Sequence, residues 1–345
     1  MRVYGQNLDP SRPSQPSELR GRLAAARTGM PAAEPRPAPE QGGGVIPLPE
    51  AYTEQARQEW MRRFNSFTQL ELAFDEQDKI LWCFMNPSNR SNVTLELARE
   101  SRTLQRSIQQ LFREPAGQAL APIRYMVWSS KTPGIFNLGG DLRLFAELIR
   151  LRDREQLLEY ATACVDVVYM NAVNLEVPLI TVSLVRGDAL GGGFEAAISS
   201  NLVIAERSVK FGLPEMLFNL FPGMGAYSLI ARRIGAAQAE RMILSTRIYS
   251  AEELCDLGLV DVLADDGKGE EAVYEYVEQF GRRHSAHCAV YNVRRRVNAL
   301  THEELLDVAR IWVDAALELD EPALRRMERL AAAQDRRVSA LSRTA

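Results

Sequence analysis

Residues 187–197 read Gly-Asp-Ala-Leu-Gly-Gly-Gly-Phe-Glu-Ala-Ala and follow closely on an apolar run, Leu179–Val185. The run has the length and β-branched content of a buried strand, and the glycines open a helical segment. Glycines at a helix start let free backbone N–H groups approach a ligand oxygen at the positive end of the helix dipole. Residues 179–197 therefore predict a strand, a ligand-facing turn and a helix whose first turn carries Glu195.

The same residues also resemble a dinucleotide-binding turn of the form G-x-G-x-x-A. Such a turn joins strand and helix tightly, but about five residues separate Val185 from Gly191. The segment is also not the first strand–helix unit of its domain. We therefore favour a helix start that faces a ligand, and rank a nicotinamide-dependent dehydrogenase last among the functions considered.

Two further glycine-containing segments suggest related chemistry. Residues 135–142 read Ile-Phe-Asn-Leu-Gly-Gly-Asp-Leu, a loop into a helix that Asp141 is placed to cap. Residues 210–215 read Lys-Phe-Gly-Leu-Pro-Glu, and Glu215 has apolar neighbours on both sides. Burial would raise the pKa of Glu215 and suit it to hold or give a proton near neutrality. Each of these segments alone is also explained by a capped loop or a surface carboxylate. The three segments together predict an oxyanion site beside two carboxylates.

Together, the three segments resemble the crotonase (enoyl-CoA hydratase/isomerase) superfamily. Within it they resemble the synthases of diffusible signal factor, the cis-2-unsaturated fatty acids of bacterial quorum sensing. The resemblance runs from about residue 65 to about residue 340 and includes Gly-Met-Gly-Ala-Tyr-Ser at 223–228, where ordinary hydratases tend to read Gly-Gly-Thr-Gln after the Pro-Gly. It implies an α/β crotonase fold, with repeated ββα units in a spiral core and a C-terminal helical trimerisation region.

The resemblance also implies roles for particular residues. The backbone N–H groups of Gly140 and Gly192 would form an oxyanion hole, and Glu195 and Glu215 would be the catalytic carboxylates. The substrate would be a 3-hydroxyacyl thioester on the phosphopantetheine of acyl carrier protein, or on coenzyme A, with no other cofactor. It would be dehydrated to the 2-enoyl thioester and then hydrolysed to the free acid. Which carboxylate is the acid and which is the base stays open.

Other residues near these motifs are candidates for substrate binding, although core packing and helix capping explain the same composition. These candidates are Leu138, Met216, Leu217, Phe218, Asn219, Leu220, Phe221, Met224 and Tyr227. Arg143 and Arg150 either meet the carrier's phosphate and acidic surface or form an ordinary solvated helix face. His284, His287 and Cys288 resemble metal ligands, but no fourth ligand is evident and we predict no metal site.

The composition excludes several other classes of protein. The chain has 345 residues, 46% of them hydrophobic, and a formal net charge of -4, which argues against a nucleic-acid binder. No run approaches the roughly 20 apolar residues that span a bilayer, and no secretory signal is evident. The four cysteines are widely spaced, which argues against a disulfide framework. We expect a cytoplasmic homo-oligomer, a trimer or hexamer, and the resemblance adds a signalling sensor protein as a possible partner.

The chain divides into three predicted regions. Residues 1–50 hold nine of the seventeen prolines and are expected to be a disordered tail. Residues 51–300 form the predicted crotonase core. Residues 301–345 form helices that pack on the core or on a neighbouring subunit.

Hydrophobic periodicity places the elements of the core and of the C-terminal region. Strands are predicted at Leu70–Phe74, Ile80–Met85, Ile123–Trp128, Leu179–Val185 and Leu202–Ala205. Helices are predicted at Leu95–Phe112, at Leu142–Val173 with a break, at Glu303–Leu319 and at Pro322–Leu341. The expected apolar face of the third of these helices consists of Ile311, Ala315 and Leu319.

Two alternative functions remain open. One is a plain enoyl-CoA hydratase or 3-hydroxyacyl dehydratase without thioesterase activity, which would release no free acid. The other is a non-catalytic regulatory binding module with the same fold. The presence of both Glu195 and Glu215 favours catalysis over the second alternative.

Overall fold

The computed structural model describes residues 66–86, 91–114 and 123–341, together with a few positions between 53 and 62. The predicted tail, residues 1–50, lies outside the described residues. The strands are β1 (Leu70–Asp75), β2 (Ile80–Met85), β3 (Tyr125–Ser130), β4 (Ile135–Asn137), β5 (Ile180–Val185), β6 (Asp188–Leu190), β7 (Leu202–Glu206), β8 (Lys210–Gly212), β9 (Ile248–Ser250) and β10 (Val262–Ala264).

Helices form most of the outer layers of the fold. They are α1 (Leu95–Arg113), α2 (Leu142–Arg150), α3 (Arg154–Ala172), α4 (Gly192–Ser199), α5 (Ala226–Ile234), α6 (Ala236–Ser245), α7 (Ala251–Leu257), α8 (Gly269–Phe280), α9 (His284–Val297), α10 (His302–Leu317) and α11 (Glu321–Leu341). Short 3-10 helices lie at Asn174–Glu176, Glu215–Phe218 and Gly281–Arg283.

A six-stranded sheet with the order β1-β2-β3-β5-β7-β10 forms the centre of the core. In this sheet β1 and β2 pair antiparallel, and every other pair of neighbouring strands is parallel. Every residue of β2 and β5 is buried, as expected for parallel strands that are covered on both faces. Alternate side chains of β2 contribute to two apolar clusters, one with Leu81 and Cys83, the other with Ile80 and Trp82. Helices α1 and α3 cover the first cluster, and α8 and α9 cover the second.

A second, smaller sheet positions the candidate site. Its order is β4-β6-β8-β9, and β4, β6 and β8 run parallel. Each of its strands has only three residues, too few for a period of two to be visible, and none of them was predicted. The three glycine-containing segments of the sequence contain β4, β6 and β8, and each continues into the loop that follows its strand. The second sheet therefore brings these segments to one edge.

The predicted strands and the first predicted helix are confirmed, with ends that differ by at most two residues. The expected break in Leu142–Val173 separates α2 from α3. Arg152 lies in this break with a positive φ of 53°, and the side chain of Asp153 caps α3 by accepting from the N–H of Gln156 at 3.0 Å. The α/β fold class is confirmed by this arrangement.

The two C-terminal helices pack on the core of their own chain, α10 against α3 and α11 against α2. Pro322 lies in the first turn of α11, as predicted. The predicted apolar face of α10 is wrong at Ile311, which is 60% exposed, whereas Ala315 and Leu319 are half-buried against the core. A repeat of four drifts around a helix of 3.6 residues per turn, so the true face mixes spacings of three and four. Its buried residues are Leu305, Ala309, Trp312, Val313 and Ala316.

Candidate active site

Three loops meet at the carboxyl ends of β4, β6 and β8, where ligands of open α/β sheets commonly bind. Leu138–Asp141 follows β4, Gly191 follows β6, and Leu213–Glu215 follows β8. The first two loops are in close contact, since a Cβ atom placed on Gly139 would lie 3.1 Å from the backbone nitrogen of Gly192. Residues far apart in sequence therefore face one small volume.

Glycine is required at two positions where these loops approach each other. Gly191 has a positive φ of 53°, and a Cβ atom there would lie 2.5 Å from Oε1 of Glu215. A Cβ atom on Gly193 would lie 2.1 Å from the carbonyl oxygen of Asn137. A side chain at either position would displace the start of α4 from the neighbouring loop.

The backbone N–H groups of Gly140 and Gly192 are free to bind an oxygen. Gly192 is the first residue of α4, so its N–H has no acceptor within the helix. Within the described part of the chain, neither N–H group donates to a protein acceptor. Both glycines line a cavity of about 40 Å³ that also includes Glu195 and Glu215. Paired donors beside a cavity can stabilise an oxyanion.

Glu195 is held rigidly in the first turn of α4. The residue is only 1% exposed, and its Oε1 accepts from the backbone N–H groups of Met224 and Ala226, each at 2.8 Å. Burial raises the pKa of Glu195, while these N–H groups and that of Gly225 oppose the rise. Glu195 is therefore a buried carboxylate whose charged form has dedicated hydrogen-bond donors.

Glu215 has a different environment. It begins a 3-10 helix after Pro214, and its Oε2 is buried with no hydrogen-bond partner among the described residues. Burial, and then the charge of Glu195, raise the pKa of Glu215. A buried oxygen without a partner is costly unless a proton, water or substrate satisfies it. The two carboxylates influence each other and are expected to share one proton near neutrality.

Aromatic residues that the sequence reasoning missed close the cavity. The ring of Phe145 lies edge-on to Tyr160, with centroids 4.8 Å apart, and to Trp312, with centroids 5.1 Å apart. The hydroxyl of Tyr160 donates to the carbonyl of Val93 and accepts from the N–H of Asp141. Tyr160 thereby braces the loop that presents Gly140. These residues come from α2, α3 and α10, and no local pattern links them to the glycine motifs.

Helix α11 lies over the same loop. The side-chain amide of Gln334 donates to the carbonyl oxygen of Leu138 at 2.8 Å. Arg143 and Arg150, which we considered as contacts for a carrier phosphate, both form ion pairs with α11 in this structure. Their partners are Asp335, Glu321 and Glu328. The arginines therefore connect α2 to the C-terminal helix.

The remaining candidate binding residues fall into two groups. Leu220 and Met224 line the cavity, as does Phe218. The others lie outside its lining: Leu138 is buried, Met216 and Phe221 are half-buried, and Leu217, Asn219 and Tyr227 are exposed. Asn219, with a left-handed φ of 61°, ends the 3-10 helix of Glu215.

Of the histidine and cysteine residues of α9, His284 and Cys288 contact each other, whereas His287 lies against Tyr276. The thiol of Cys288 lies 3.6 Å from Nε2 of His284, and that nitrogen lies 2.9 Å from the carbonyl oxygen of Arg124. Among the residues that the structure describes, no three His, Cys, Asp or Glu side chains are placed to hold a metal ion. None of the described helices is long and apolar enough to cross a membrane.

Sequence comparison relates the chain to known hydratases. Residues 117–338 match the family described as Enoyl-CoA hydratase/isomerase. Methylglutaconyl-CoA hydratase of Rattus norvegicus is 31% identical over 152 residues, which cover 44% of this chain and 46% of that protein. "Probable enoyl-CoA hydratase echA17" of Mycobacterium avium is 33% identical over 168 residues, which cover 48% of this chain and 56% of that protein. The chain thus spans about half the length of these curated relatives.

Structure comparison agrees with the family at the level of the fold. An enoyl-CoA hydratase from Bacillus halodurans superposes with a TM-score of 0.63 at 21% identity, covering 76% of this chain and 99% of that chain. DspI of Pseudomonas aeruginosa superposes with a TM-score of 0.57 at 22% identity, covering 69% of this chain and 91% of that chain. With its family match and its α/β architecture, the chain belongs to the enoyl-CoA hydratase/isomerase family and has the crotonase fold.

Proposed function

We propose that the chain removes water from a 3-hydroxyacyl thioester and then hydrolyses the 2-enoyl thioester to a free cis-2-unsaturated fatty acid. The observation that carries the proposal is one cavity that contains two interacting carboxylates, Glu195 and Glu215, and two free N–H groups, those of Gly140 and Gly192. The first reaction is of the hydratase type that the names of several relatives describe.

In the elimination, the thioester carbonyl oxygen accepts from the N–H groups of Gly140 and Gly192. The carbonyl becomes a better electron sink, so the Cα proton becomes more acidic. Glu195, the carboxylate with its own N–H donors, takes that proton. Glu215, which holds a proton because its pKa is raised, gives it to the 3-hydroxyl group. The C–O bond breaks, water leaves, and the electron pair forms the double bond.

The elimination leaves Glu195 protonated and Glu215 ionised, and hydrolysis restores the starting state. Oε2 of Glu215, which has no partner among the described residues, accepts a proton from a water molecule that attacks the thioester carbonyl. The C–S bond then breaks, and Glu195 gives its proton to the departing thiolate. The products are the free acid and the carrier thiol, and both carboxylates are ready for another cycle.

The hydrolytic step is supported by the resemblance of residues 223–228 to signal synthases rather than to ordinary hydratases. A plain hydratase or dehydratase is the second candidate, favoured by the names of the curated relatives. A purely regulatory binding module accounts less well for Oε2 of Glu215, a buried carboxylate oxygen that has no partner among the described residues. Acyl carrier protein and coenzyme A are both retained as carriers, and a signalling sensor protein as a further partner.

A homo-oligomer, a trimer or hexamer, is also part of the proposal. Helix α9 exposes a line of valines at spacings of three and four residues. Val290 is 63% exposed, Val293 61% and Val297 80%. An apolar line of this kind is typical of a surface that another subunit covers. Light scattering on the purified protein tests this, and a monomeric mass would contradict it.

The decisive experiment incubates the protein with 3-hydroxydodecanoyl-acyl carrier protein and identifies the products by mass spectrometry. Glu195→Ala and Glu215→Ala are compared with Glu240→Ala, which removes an exposed carboxylate from α6. Free 2-enoic acid from the wild type and the control alone would support both steps. Enoyl thioester without free acid would identify a plain dehydratase. No turnover of this substrate, and none when the experiment is repeated with coenzyme A thioesters and with several chain lengths, would favour the binding module.

A further inference from the structure

A second cavity, remote from the two carboxylates, is lined by four arginines, and we call it the arginine pocket. Arg232 and Arg233 come from the last turn of α5, and Arg294 and Arg295 from the last turn of α9. The volume of the pocket is about 80 Å³, more than twice the roughly 30 Å³ that one water molecule occupies in the liquid. The pocket therefore has room for a polyatomic ion.

The arginine pocket and the reaction cavity lie at opposite ends of α4. Glu195 is in the first turn of this helix and lines the reaction cavity, whereas Ser199, its last residue, lines the arginine pocket. The eight residues of α4 span about 12 Å, and the two cavities have no lining residue in common. The valines of α9 that we propose to meet another subunit are not lining residues either. The arginine pocket is thus a separate feature of the fold.

Two of the four arginines are neutralised by carboxylates. Arg232 forms a bidentate pair with Glu304, with N–O distances of 2.8 and 2.6 Å. Arg233 lies 3.3 Å from a carboxylate oxygen of Asp261 and donates to the carbonyl oxygen of Ser200 at 2.7 Å. These contacts fix the end of α5, so the two arginines have a structural role of their own.

The other two arginines form no ion pair among the described residues. Arg295 donates to the carbonyl oxygen of Val173 and, at 2.9 Å, to Oδ1 of Asn292. The guanidinium group of Arg294 lies over the ring of Tyr291, 4.7 Å from its centroid. A guanidinium group has five N–H donors, and in the described part of the chain none of those of Arg294 meets an acceptor. Arg294 therefore has its full donor capacity available to a ligand.

The charges of the arginine pocket are out of balance. Four guanidinium groups and two paired carboxylates leave a net charge of +2. Loss of surrounding water, and then the nearby charge of Arg233, lower the pKa of Arg294, as expected where like charges are crowded. A carboxylate ligand would cancel half of this excess. A phosphate group, which carries about −1.5 to −2 charges near pH 7, would cancel nearly all of it.

From the cavity, its four arginines and this charge excess, we infer that the arginine pocket binds the phosphate group of a small ligand. The planar fork of a guanidinium group matches two oxygens of a phosphate at once. Arg294 and Arg295 would supply the new hydrogen bonds, while Arg232 and Arg233 keep their present partners. The ligand is either inorganic phosphate or a phosphomonoester such as a nucleotide, and its binding does not depend on the thioester chemistry proposed above.

Calorimetric titration of the full chain with sodium phosphate, at constant ionic strength and near neutral pH, tests the inference. We expect Arg294→Gln to raise the Kd for phosphate about tenfold or more, because charged hydrogen bonds are lost. Arg294→Lys, which keeps the charge without the fork, should raise it less. Arg296→Gln is the matched control, since Arg296 is exposed on the same helix and does not line the pocket. The same Kd in Arg294→Gln as in the wild type, or equal binding of chloride, would overturn the inference.

Two further ligands distinguish the sources of the phosphate group. Tighter binding of adenosine 5′-monophosphate than of inorganic phosphate would identify a nucleotide, and equal binding would identify free phosphate. In both cases Arg294→Gln must weaken binding. Adenosine that binds as well as its monophosphate, or monophosphate binding that Arg294→Gln leaves unchanged, would count against the pocket.

Thermal unfolding separates a binding role of Arg294 from a structural one. Phosphate should raise the unfolding temperature of the wild type and of Arg296→Gln, but not that of Arg294→Gln, because a ligand that binds the folded state stabilises it. Without phosphate, Arg294→Gln should unfold at the same temperature as the wild type or a higher one, since the substitution relieves repulsion from Arg233. A clear loss of stability in Arg294→Gln without phosphate would assign Arg294 to the structure and overturn the inference.

Discussion

Glu195 and Glu215 line the same cavity, and the charge of Glu195 raises the pKa of Glu215. The two side chains are otherwise unlike. Glu195 accepts two backbone N–H bonds, whereas Oε2 of Glu215 has no partner in the described part of the chain. A proton shared by the pair is therefore expected to reside more on Glu215 than on Glu195.

This asymmetry predicts separate roles for the two carboxylates. Both Glu195→Gln and Glu215→Gln should lower the rate of elimination by about 10²- to 10⁴-fold. Only Glu195→Gln should abolish exchange of the Cα proton of a bound thioester with deuterated water, because we assign Glu195 as the base. Mass spectrometry of the recovered thioester measures the exchange. Loss of exchange in Glu215→Gln, with exchange retained in Glu195→Gln, would reverse the assignment.

The raised pKa values predict a pH-dependent stability. Burial raises the pKa of Glu195 to about 7 and that of Glu215 to about 8, from an ordinary value of 4.5. Between pH 4.5 and pH 8 the folded chain holds protons on this pair that the unfolded chain has lost. The contribution of the pair to the free energy of unfolding therefore falls as pH rises from about 4.5 to about 8. Glu215→Gln should remove part of this dependence. The free energy of unfolding of the variant minus that of the wild type should therefore be on the order of 2 kcal/mol higher at pH 9 than at pH 5.

Urea unfolding at the two pH values measures this difference. The control is Glu240→Gln, since Glu240 is exposed on α6. A difference between Glu215→Gln and the wild type that is the same at both pH values would show that Glu215 titrates normally in the folded chain.

The contact between Gly191 and Glu215 predicts a local effect on activity. Gly191→Ala should lower kcat by about 10²-fold or more, because the new methyl group would lie 2.5 Å from Oε1 of Glu215. Gly235→Ala is the matched control: Gly235 also has a positive φ, of 91°, but a Cβ atom there meets nothing within 4 Å. Both variants carry backbone strain, so thermal unfolding should show losses of stability in both. Equal activity in the two variants would contradict the prediction.

Helix α11 is predicted to position the oxyanion loop through Gln334. Gln334→Leu removes the hydrogen bond to the carbonyl oxygen of Leu138, which frees the segment next to Gly140. We expect kcat to fall about 10- to 100-fold while KM changes little, because the affected donor acts mainly in the transition state. Arg336→Leu, at an exposed position of the same helix, is the control. A rise in KM with unchanged kcat would assign Gln334 to substrate binding instead.

The sequence by itself determined the elements with strong local patterns and the residues with distinctive local chemistry. The apolar runs of β2 and β5 predicted strands, and every residue of both strands is buried, as expected where both faces of a sheet are covered. Glu195 and Glu215 were identified as candidates because each follows a turn rich in glycine or proline within apolar surroundings. These are properties of a few adjacent residues, so a single chain displays them without its fold.

Only the tertiary structure decided how these parts meet. Strands of three residues, such as β4, β6 and β8, carry too little periodicity to be recognised, yet their parallel pairing brings Gly140, Gly192 and Glu215 to one edge. Tyr160 and Trp312 join the cavity through packing between α3, α10 and α2. Contacts of this kind follow from register and helix packing over large sequence separations, which no local pattern of residues encodes.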